Sequence, residues 1–334
     1  MTINGLLIAA DPWSSVTTSQ PLQLAEVGNR SLLAHALETF AEVGIAHACV
    51  ATTPDACEDV RRELGDGGRF GLSVTYVVRP RPLHALDALL ACGETLAGSA
   101  VLVHSGDTIR SPAVSVAVDR FVRERLDALF IVSGAPTEGT GLAGRAPTGI
   151  QLFGPRVAVA AGAVAPSSRG VVELADAVRW MRERDGKVAF EHADGWWSYR
   201  GDLDDLLEGN RLLLDSLTPA CADARLSNCR IQGRVAIHPS AVVDSTTIRG
   251  PALIGAGADI RDAYIGPYTA IGDDVQLHGA ELEYSIVHRG ARVEHVGRRL
   301  EASVIGPGAQ ISSDFSLPKA LRLRIGENAV VCVS

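Results

Sequence analysis

Lysine is nearly absent from this chain of 334 residues, in which only Lys187 and Lys319 occur although arginine is abundant. A reaction that needs a lysine side chain therefore has two places to find one. The formal net charge is −8, and no block of basic residues occurs. Because nucleic-acid phosphates are bound by concentrated basic surfaces, we expect no nucleic-acid partner. Small molecules or other proteins are the expected partners.

Long apolar runs are also missing. No stretch reaches the roughly 18 to 20 apolar residues that a membrane-spanning helix needs, and the apolar segment Gly5–Ala10 is short and lacks a basic flank. We therefore expect no membrane span, no signal peptide and a cytoplasmic location. The six cysteines lie far apart without metal-ligand spacing, which predicts reduced and mostly buried thiols: Cys49, Cys57, Cys92, Cys221, Cys229 and Cys332.

The first two thirds of the chain alternate short apolar runs with helical patterns, which is typical of a parallel sheet with crossover helices. The predicted strands are Gly5–Ala10, Ala48–Ala51, Val74–Val78 and Ala100–His104, and the predicted helices are Ser31–Val43, Ala56–Leu64 and Leu86–Leu96. Ser31 is the expected cap of the first helix. Ligands of open α/β sheets bind beyond the carboxyl ends of strands, so the loop Ser105-Gly106-Asp107 is a candidate site.

Beyond Leu217 an aliphatic residue recurs every six residues over several stretches. This period fits neither a helix nor an alternating strand, and it is the mark of a hexapeptide β-helix in which each aliphatic side chain points inward. The sequence thus predicts an α/β domain over 1–217 and a left-handed parallel β-helix over 218–334, closed by a cap from Pro318–Leu323 and Ile325–Val333. The repeating positions are Ile237, Val243, Ile254, Ile260, Ile265, Ile271, Leu277, Val287, Val293, Ile305 and Ile311.

Seven short segments in the two regions match motifs of one known family. They are 65–71, 105–107, 168–170, 196–197, 249–257, 264–269 and 318–323. These motifs resemble the long form of glucose-1-phosphate thymidylyltransferase and, more broadly, the nucleotide-sugar pyrophosphorylases. The resemblance implies a Rossmann-like nucleotidyltransferase domain followed by a left-handed β-helix. It implies an enzyme that joins a nucleoside triphosphate to a sugar 1-phosphate, with cations, backbone amides and Mg²⁺ stabilising the phosphates.

The phosphate-binding motifs of that family are altered here. Its glycine-rich loop aligns with Ala10–Gln20, which has no glycine or arginine and contains Asp11 and Pro12. The lysine of the family's Pro-Lys pair corresponds to Leu22. A second family lysine should fall between Ala128 and Gly149, where none occurs. Compared with the family that it resembles, this chain therefore has few of the amides and cations expected to bind a triphosphate.

The base-reading and metal-binding positions also differ. The family's base-reading motif aligns with Arg79–His84, where Arg79 and Arg81 are either anion ligands or solvated loop residues. Asp107 corresponds to one Mg²⁺ carboxylate and Tyr199 replaces the other, so Mg²⁺ is expected only with residual nucleotidyl transfer. Arg200 either supplies positive charge in the site or pairs with a nearby aspartate.

The expected sugar-binding segment retains one carboxylate, Glu173, which is suited to accept a hydrogen bond from a sugar hydroxyl. A histidine beside a carboxylate suits proton transfer near neutral pH, although a hydrogen-bonded loop histidine is the alternative for His104. The candidate catalytic residues are Asp107, His84 and Tyr199. The candidate substrate-binding residues are Arg79, Glu173, Arg200, Asp87 and His104.

Four hypotheses of function remain at this point. The first is a pseudoenzyme or altered family member in a sugar or secondary-metabolite pathway, which binds a sugar phosphate or related metabolite or partners an active homologue. The others are a repurposed enzyme, an active but atypical nucleotidyltransferase, and a hexapeptide acyltransferase that uses His238, His278, His288 or His295. Since the end of a β-helix is an unpaired sheet edge, we expect a homo-oligomer or a hetero-oligomer with an active homologue.

Overall fold

A computed structural model describes residues 2–9, 22–80, 84–96, 98–109, 111, 113–133, 146–164, 174–193, 196–221, 224–313 and 321–324. The chain divides into two compact units. The first comprises Met1–Ala25 and Ser31–Arg200, and the second comprises Glu26–Arg30 and Gly201–Ser334. Among the described residues, no helix has both the length and the apolar character needed to cross a membrane.

Strands and helices are interspersed through residue 215. They are β1 (Ile3–Ile8), a 3-10 turn (Leu22–Leu24), β2 (Glu26–Val27), β3 (Arg30–Ser31), α1 (Leu32–Glu42), β4 (His47–Thr52), α2 (Cys57–Leu64), a second 3-10 turn (Gly68–Phe70), β5 (Ser73–Val78), α3 (Ala85–Ala91), α4 (Gly93–Leu96), β6 (Ala100–His104), α5 (Ala113–Glu124), β7 (Ala128–Ser133), β8 (Ala146–Phe153), α6 (Arg156–Ala163), α7 (Leu174–Arg182), β9 (Val188–His192) and α8 (Leu203–Asp215).

Short strands make up the rest of the described chain. They are β10 (Arg225–Ser227), β11 (Arg230–Gln232), β12 (Val235–Ile237), β13 (Val242–Asp244), β14 (Thr247–Arg249), β15 (Ala252–Ile254), β16 (Asp259–Arg261), β17 (Tyr264–Ile265), β18 (Thr269–Ile271), β19 (Gln276–His278), β20 (Glu281–Glu283), β21 (Ile286–Val287), β22 (Arg292–Glu294), β23 (Leu300–Glu301), β24 (Val304–Ile305), β25 (Gln310–Ser313) and β26 (Leu321–Arg324).

The first unit is built on a seven-stranded sheet of order β5-β4-β1-β6-β8-β7-β9. Its strands run parallel except β8, which follows β7 in the chain and pairs antiparallel with both β7 and β6. Helices α1, α2 and α5 contribute to one apolar core, and α3, α6 and α7 to a second. The Rossmann-like fold is therefore confirmed, with β8 as the departure from an all-parallel sheet.

The predicted start of α1 is also confirmed. Ser31 has an extended backbone, and its hydroxyl accepts a hydrogen bond from the Ala34 N–H over 3.1 Å. This contact satisfies one of the backbone donors that a helix start leaves without an intrahelical partner. The predicted helix over Leu86–Leu96 is instead divided into α3 and α4, because Cys92 leaves the helical conformation between them.

The second unit contains a left-handed parallel β-helix, as the sequence predicts. Its strands form three stacked sheets in which each strand pairs with the equivalent strand of the next coil, so that Ile237 pairs with Ile254 and Ile254 with Ile271. Inward-facing aliphatic residues form a continuous core, and Ile260, Ile271 and Leu277 are fully buried. Strand β26 closes the last coil by pairing antiparallel with β25. The other residues of the predicted cap lie outside the described ranges.

Helix α8 and a short hairpin belong to this second unit. In the hairpin, Gly28 and Asn29 both have positive φ, as a two-residue turn between twisted strands requires. The Asn29 side-chain amide donates to the Ile271 carbonyl over 2.6 Å, and the Asn210 amide on α8 donates to the Tyr268 carbonyl over 3.0 Å. The compact unit therefore begins before α8, whereas the sequence predicted a domain boundary after residue 217.

An ion-pair cluster also attaches the hairpin to the β-helix. The Glu26 carboxylate lies 3.2 Å from His288 Nδ1 and pairs with the Arg289 guanidinium. Burial of Glu26 is the largest single influence and raises its pKa. Hydrogen bonds and charges from His288 and Arg289 together outweigh burial and lower the pKa to about 2. The usual pKa of a glutamate side chain is 4.5. Above this pH, ionised Glu26 contributes its full stabilisation to the folded unit, and this stabilisation is lost as the pH falls towards 2.

We predict that Glu26→Gln destabilises the protein at pH 7 by about 1 to 2 kcal/mol, a value reduced for the solvent exposure of Arg289. The destabilisation should decrease as the pH falls from 4.5 towards 2, because the wild-type carboxyl then becomes neutral as well. Denaturant unfolding followed at several pH values measures this difference. The control is Glu281→Gln, which removes an exposed partner of Arg299 and should change stability little. A pH-independent difference between wild type and Glu26→Gln would contradict the assignment.

Candidate functional site

The loop after β6 is a tight turn at the carboxyl end of its strand. Gly106 has φ +75°, and a Cβ at this position would lie 2.9 Å from the Ile8 carbonyl oxygen. Its N–H donates to His104 Nδ1 over 2.9 Å. Only glycine fits this backbone conformation at this separation without strain. The turn therefore presents the next residue, Asp107, at the end of the sheet.

Two serine hydroxyls hold the Asp107 carboxylate. Ser105 donates to Oδ1 in a short hydrogen bond, and Ser198 donates to Oδ2 over 3.2 Å. A Cβ on Gly149, which has φ +79°, would overlap the Ser105 hydroxyl. Strand β8 is thus shaped to leave room for this serine. Both carboxylate oxygens of Asp107 are engaged by neutral donors of the protein itself.

The segment that supplies Ser198 is itself fastened to the loop. The Tyr199 N–H donates to the Asp107 carbonyl over 2.8 Å, and the Thr108 hydroxyl donates to the Trp197 carbonyl. The Trp197 and Tyr199 rings stack with centroids 6.4 Å apart and an interplanar angle of 16°. The structure therefore brings two predicted site residues, Asp107 and Tyr199, directly together.

His104 lies beneath the turn rather than on its surface. Its side chain is fully buried, and its ring meets Phe40 edge to face with centroids 6.1 Å apart. Burial, together with the charge of His35, lowers the pKa of His104 to about 3. Since Nδ1 accepts the Gly106 N–H, the proton of the neutral ring is on Nε2. His104 thus shapes the turn and has no exposed surface for the substrate contact that the sequence suggested.

Three other predicted site residues lie near the end of β5. Arg79 follows that strand and donates from Nη2 to the Ala91 carbonyl over 3.3 Å. His84 is exposed at the N-terminus of α3, and Asp87 is in the first turn of that helix. Strands β4 and β1 separate β5 from β6, so roughly 14 Å divides the end of β5, which Arg79 follows, from the end of β6 at the usual strand spacing. Arg79 thus lies apart from Asp107 along the carboxyl ends of the strands.

The other candidate residues and the two lysines lie at several places in the chain. Arg200 is exposed. Glu173, Arg81 and the segment 10–21 lie outside the described residues, as does Lys319. Lys187 directly precedes β9, and its N–H donates to the Asp127 carboxylate. Strand β9 runs parallel to the central strands, so Lys187 lies at the amino ends of the strands. Asp107 lies at their carboxyl ends.

Histidines of the β-helix have protein partners in the described part of the unit. His238 Nδ1 lies 2.8 Å from the Ser240 hydroxyl, and His288 pairs with Glu26. His278 Nε2 lies 3.5 Å from the Asp259 carboxylate. These contacts give the three histidines structural roles on the coils.

Comparison with known proteins decides the family. A family model for nucleotidyl transferases matches residues 14–143. The chain is 31% identical to a glucose-1-phosphate thymidylyltransferase of Streptomyces griseus, over 96% of this chain and 95% of that protein. It is 30% identical to the Streptomyces antibioticus protein of the same name, over 95% and 94% of the two chains. A low-salt glycan biosynthesis nucleotidyltransferase of Haloferax volcanii is also 30% identical, over 94% of each chain.

The chain belongs to the nucleotidyl transferase family. The resemblance to glucose-1-phosphate thymidylyltransferases drawn from the sequence motifs is thereby confirmed over nearly the whole length. A solved structure from Bacillus anthracis, described as a glucose-1-phosphate thymidylyltransferase in complex with sucrose, has a TM-score of 0.52 and 23% identity. It covers 59% of this chain and 89% of its own, and it supports the fold.

Membership of this family implies Mg²⁺, so the residues at Asp107 can be tested against that ion. Mg²⁺ prefers an octahedral set of oxygen ligands with carboxylates and substrate phosphates among them. Here both Asp107 oxygens accept hydrogen bonds from serines, and the neighbouring segment offers Tyr199 where the family resemblance implies a second carboxylate. Across the described ranges, no group of three or more His, Cys, Asp or Glu side chains is arranged to hold a metal. The described residues thus provide one carboxylate for Mg²⁺, Asp107, whose oxygens keep lone pairs beside their hydrogen bonds, and not the pair of carboxylates that the resemblance implies.

The sequence indicated Asp107 and Tyr199 but missed the residues that hold them. Ser105 and Thr108 flank Asp107 in the chain, whereas Ser198 comes from a segment 91 residues away and reaches it only in the folded sheet. Serine is common in loops, so no pattern in one sequence marks Ser198 as a partner of Asp107. The sequence likewise does not show whether a histidine is buried. For that reason it suggested His104 as a site residue, although the side chain is buried.

We predict that the His104 ring remains neutral from pH 8 down to about pH 4, with the proton on Nε2. Long-range ¹H–¹⁵N spectra of ¹⁵N-histidine-labelled protein report both the protonation state and the tautomer. A His104→Gln variant identifies the signal. Because the unfolded chain binds a proton that the folded ring does not, His104 should also reduce stability as the pH falls from about 6.5 towards 3. A titration midpoint above about pH 6 for this ring would contradict the buried neutral assignment.

Proposed function

We propose that this chain is a nucleotidyl transferase family member that no longer performs nucleotidyl transfer at an appreciable rate. It keeps the strand-end site as a binding site for a sugar phosphate or a related small metabolite. The observation that carries this proposal is the pairing of Asp107 with Tyr199, whose N–H donates to the Asp107 carbonyl at the position where the resemblance implies a second metal-binding carboxylate. Ser105 and Ser198 orient the Asp107 carboxylate, and one carboxylate without a second is a weak Mg²⁺ site when few cations hold the phosphates.

Charge balance supports the proposal independently. The reaction gathers the phosphates of a nucleoside triphosphate and a sugar 1-phosphate at one point, and their negative charge must be matched by cations and amide donors. Of the two lysines in the chain, Lys187 lies at the opposite edge of the sheet. Leu22, at the position of the family's Pro-Lys lysine, is a buried apolar side chain in the 3-10 turn.

The expected consequence for rate is large. Removing one preorganised donor to a developing charge lowers the turnover rate by roughly 10² to 10³. The losses here involve a glycine-rich loop, two lysines and one metal-binding carboxylate, as the resemblance implies. Even if their effects are less than additive, nucleotidyl transfer should fall by several orders of magnitude.

A second candidate is an active but atypical nucleotidyltransferase. It is favoured by the likeness to enzymes of that name over nearly the full length of both chains. If so, the arginines of the chain would supply the missing positive charges, and segment 10–21 would supply only backbone amides and hydroxyls, because it contains no cation. The β-helix serves assembly under either account, and we propose a homo-oligomer or a hetero-oligomer with an active homologue.

A turnover assay separates the two candidates. Purified protein is incubated with dTTP, glucose 1-phosphate and Mg²⁺, and pyrophosphate release is followed with a coupled enzyme assay. We predict no release above that of an Asp107→Asn variant prepared identically, while the Streptomyces griseus enzyme reacts under the same conditions. The Asp107→Asn preparation controls for traces of a host enzyme.

Restoring a single carboxylate should not restore the activity. We predict that Tyr199→Asp remains silent in the same assay, because it adds a metal ligand without countercharges for the triphosphate. A rate in the wild-type protein that disappears in Asp107→Asn would overturn the proposed function and establish the atypical enzyme.

A further inference from the structure

Two buried cysteines touch within the second apolar core of the first unit. Cys49 is on β4 and Cys92 follows the last residue of α3, 43 positions later, yet their sulfur atoms are 2.7 Å apart. The side chains are 0% and 1% exposed and pack among Leu86 and Leu89. Two thiols in contact inside a core are the starting geometry for a covalent bond between them.

The other described cysteines lack this arrangement. Cys57 is half-buried and accepts a hydrogen bond from Arg61 Nε over 3.3 Å. Cys221 and Cys229 donate to backbone carbonyls of the first coils of the β-helix. Within the described ranges, only Cys49 and Cys92 have another thiol as a hydrogen-bonding partner. The thiol–thiol contact is therefore particular to Cys49 on β4 and Cys92 after α3.

The two sulfurs are chemically unequal. The hydrogen bond between the two sulfurs lowers the pKa of Cys49 despite its burial, and the same contact together with burial raises the pKa of Cys92. Cys49 therefore has the greater thiolate character. Because the thiolate is the nucleophilic form of cysteine, Cys49 is the sulfur that reacts first with an oxidant.

We propose that Cys49 and Cys92 form a reversible intramolecular disulfide when the protein meets a small peroxide. The Cys49 thiolate attacks one peroxide oxygen, the O–O bond breaks, and hydroxide leaves to give a sulfenic acid. The Cys92 sulfur then attacks Cys49, forming the S–S bond as the S–O bond breaks and water leaves. The two thiols are oxidised by two electrons, and the peroxide is reduced to water. A cellular dithiol of the thioredoxin class reverses the step.

The bond would join strand β4 to helix α3, the helix whose N-terminus bears His84 and Asp87. Arg79 donates to the carbonyl of Ala91, the residue next to Cys92. The crosslink thus fixes the end of α3 that Arg79 contacts, on the β5 side of the candidate site. This inference does not depend on the proposed function, because it concerns a covalent modification of the core.

The test is thiol mapping on the intact folded protein. Native protein is treated with hydrogen peroxide, quenched, unfolded and alkylated, and then digested without reduction. Cleavage before Asp55 separates Cys49 from Cys57 and allows mass spectrometry to assign the bond. We expect two of the six thiols to become unavailable to alkylation, a peptide pair linked through Cys49 and Cys92, and full reversal by dithiothreitol.

Variants make the assignment specific. Cys49→Ala and Cys92→Ala should each abolish the linked peptide, while the matched control Cys57→Ala should leave it unchanged. The oxidised wild-type protein should also unfold at a temperature higher by roughly 4 to 16 °C than the reduced protein, and Cys49→Ala should show no such shift. Six alkylatable thiols after peroxide treatment, or a disulfide that involves a different cysteine, would overturn the proposal.

Discussion

The hydrogen bonds that Ser105 and Ser198 donate to Asp107 are the interaction on which the strand-end site depends. They join the loop after β6 to the segment at the end of the first unit, and the Tyr199 N–H and the Thr108 hydroxyl extend this contact. Hydrogen bonds of this kind stabilise and orient a carboxylate. Hydrogen bonds between protein groups therefore order the site.

Under the proposed function, the charges near the strand ends limit which ligands the site can hold. A nucleotidyl transferase must compensate several phosphate charges at once, which requires cations close to the strand ends. In this chain, Lys187 lies at the other edge of the sheet, and the arginine that follows β5 is separated from Asp107 by two strands. A ligand with one phosphate and several hydroxyls places a smaller demand on such a site than a triphosphate does. Family membership and the proposed loss of activity are therefore compatible, because the fold persists when the charges change.

The second unit is stabilised by an aliphatic core together with polar side-chain contacts. Its coils bury aliphatic residues in a shared core, while the hairpin at 26–30 and helix α8 are attached by side-chain amides and by the Glu26 cluster. The segment 26–30 precedes nearly all of the first unit in the chain, yet it belongs to the second. The second unit is thus discontinuous along the sequence.

Much of this fold follows from local sequence patterns. The β-helix is predictable because aliphatic spacing persists over many coils, and α1 because a serine cap precedes an apolar helical pattern. The antiparallel placement of β8 and the membership of α8 in the second unit are not predictable, since both are decided by which surface each element contacts. The site is predictable at Asp107, where a strand end meets a glycine turn. The burial of His104 and the reach of Ser198 arise only from tertiary contacts.

Direct binding tests most simply whether the strand ends have lost the positive charge that a triphosphate needs. Calorimetric titration of dTTP with Mg²⁺ into the purified protein should show no saturable binding up to about 1 mM. The Streptomyces griseus enzyme, titrated identically, should bind. A dissociation constant in the micromolar range for this chain, weakened by Asp107→Asn, would contradict the account.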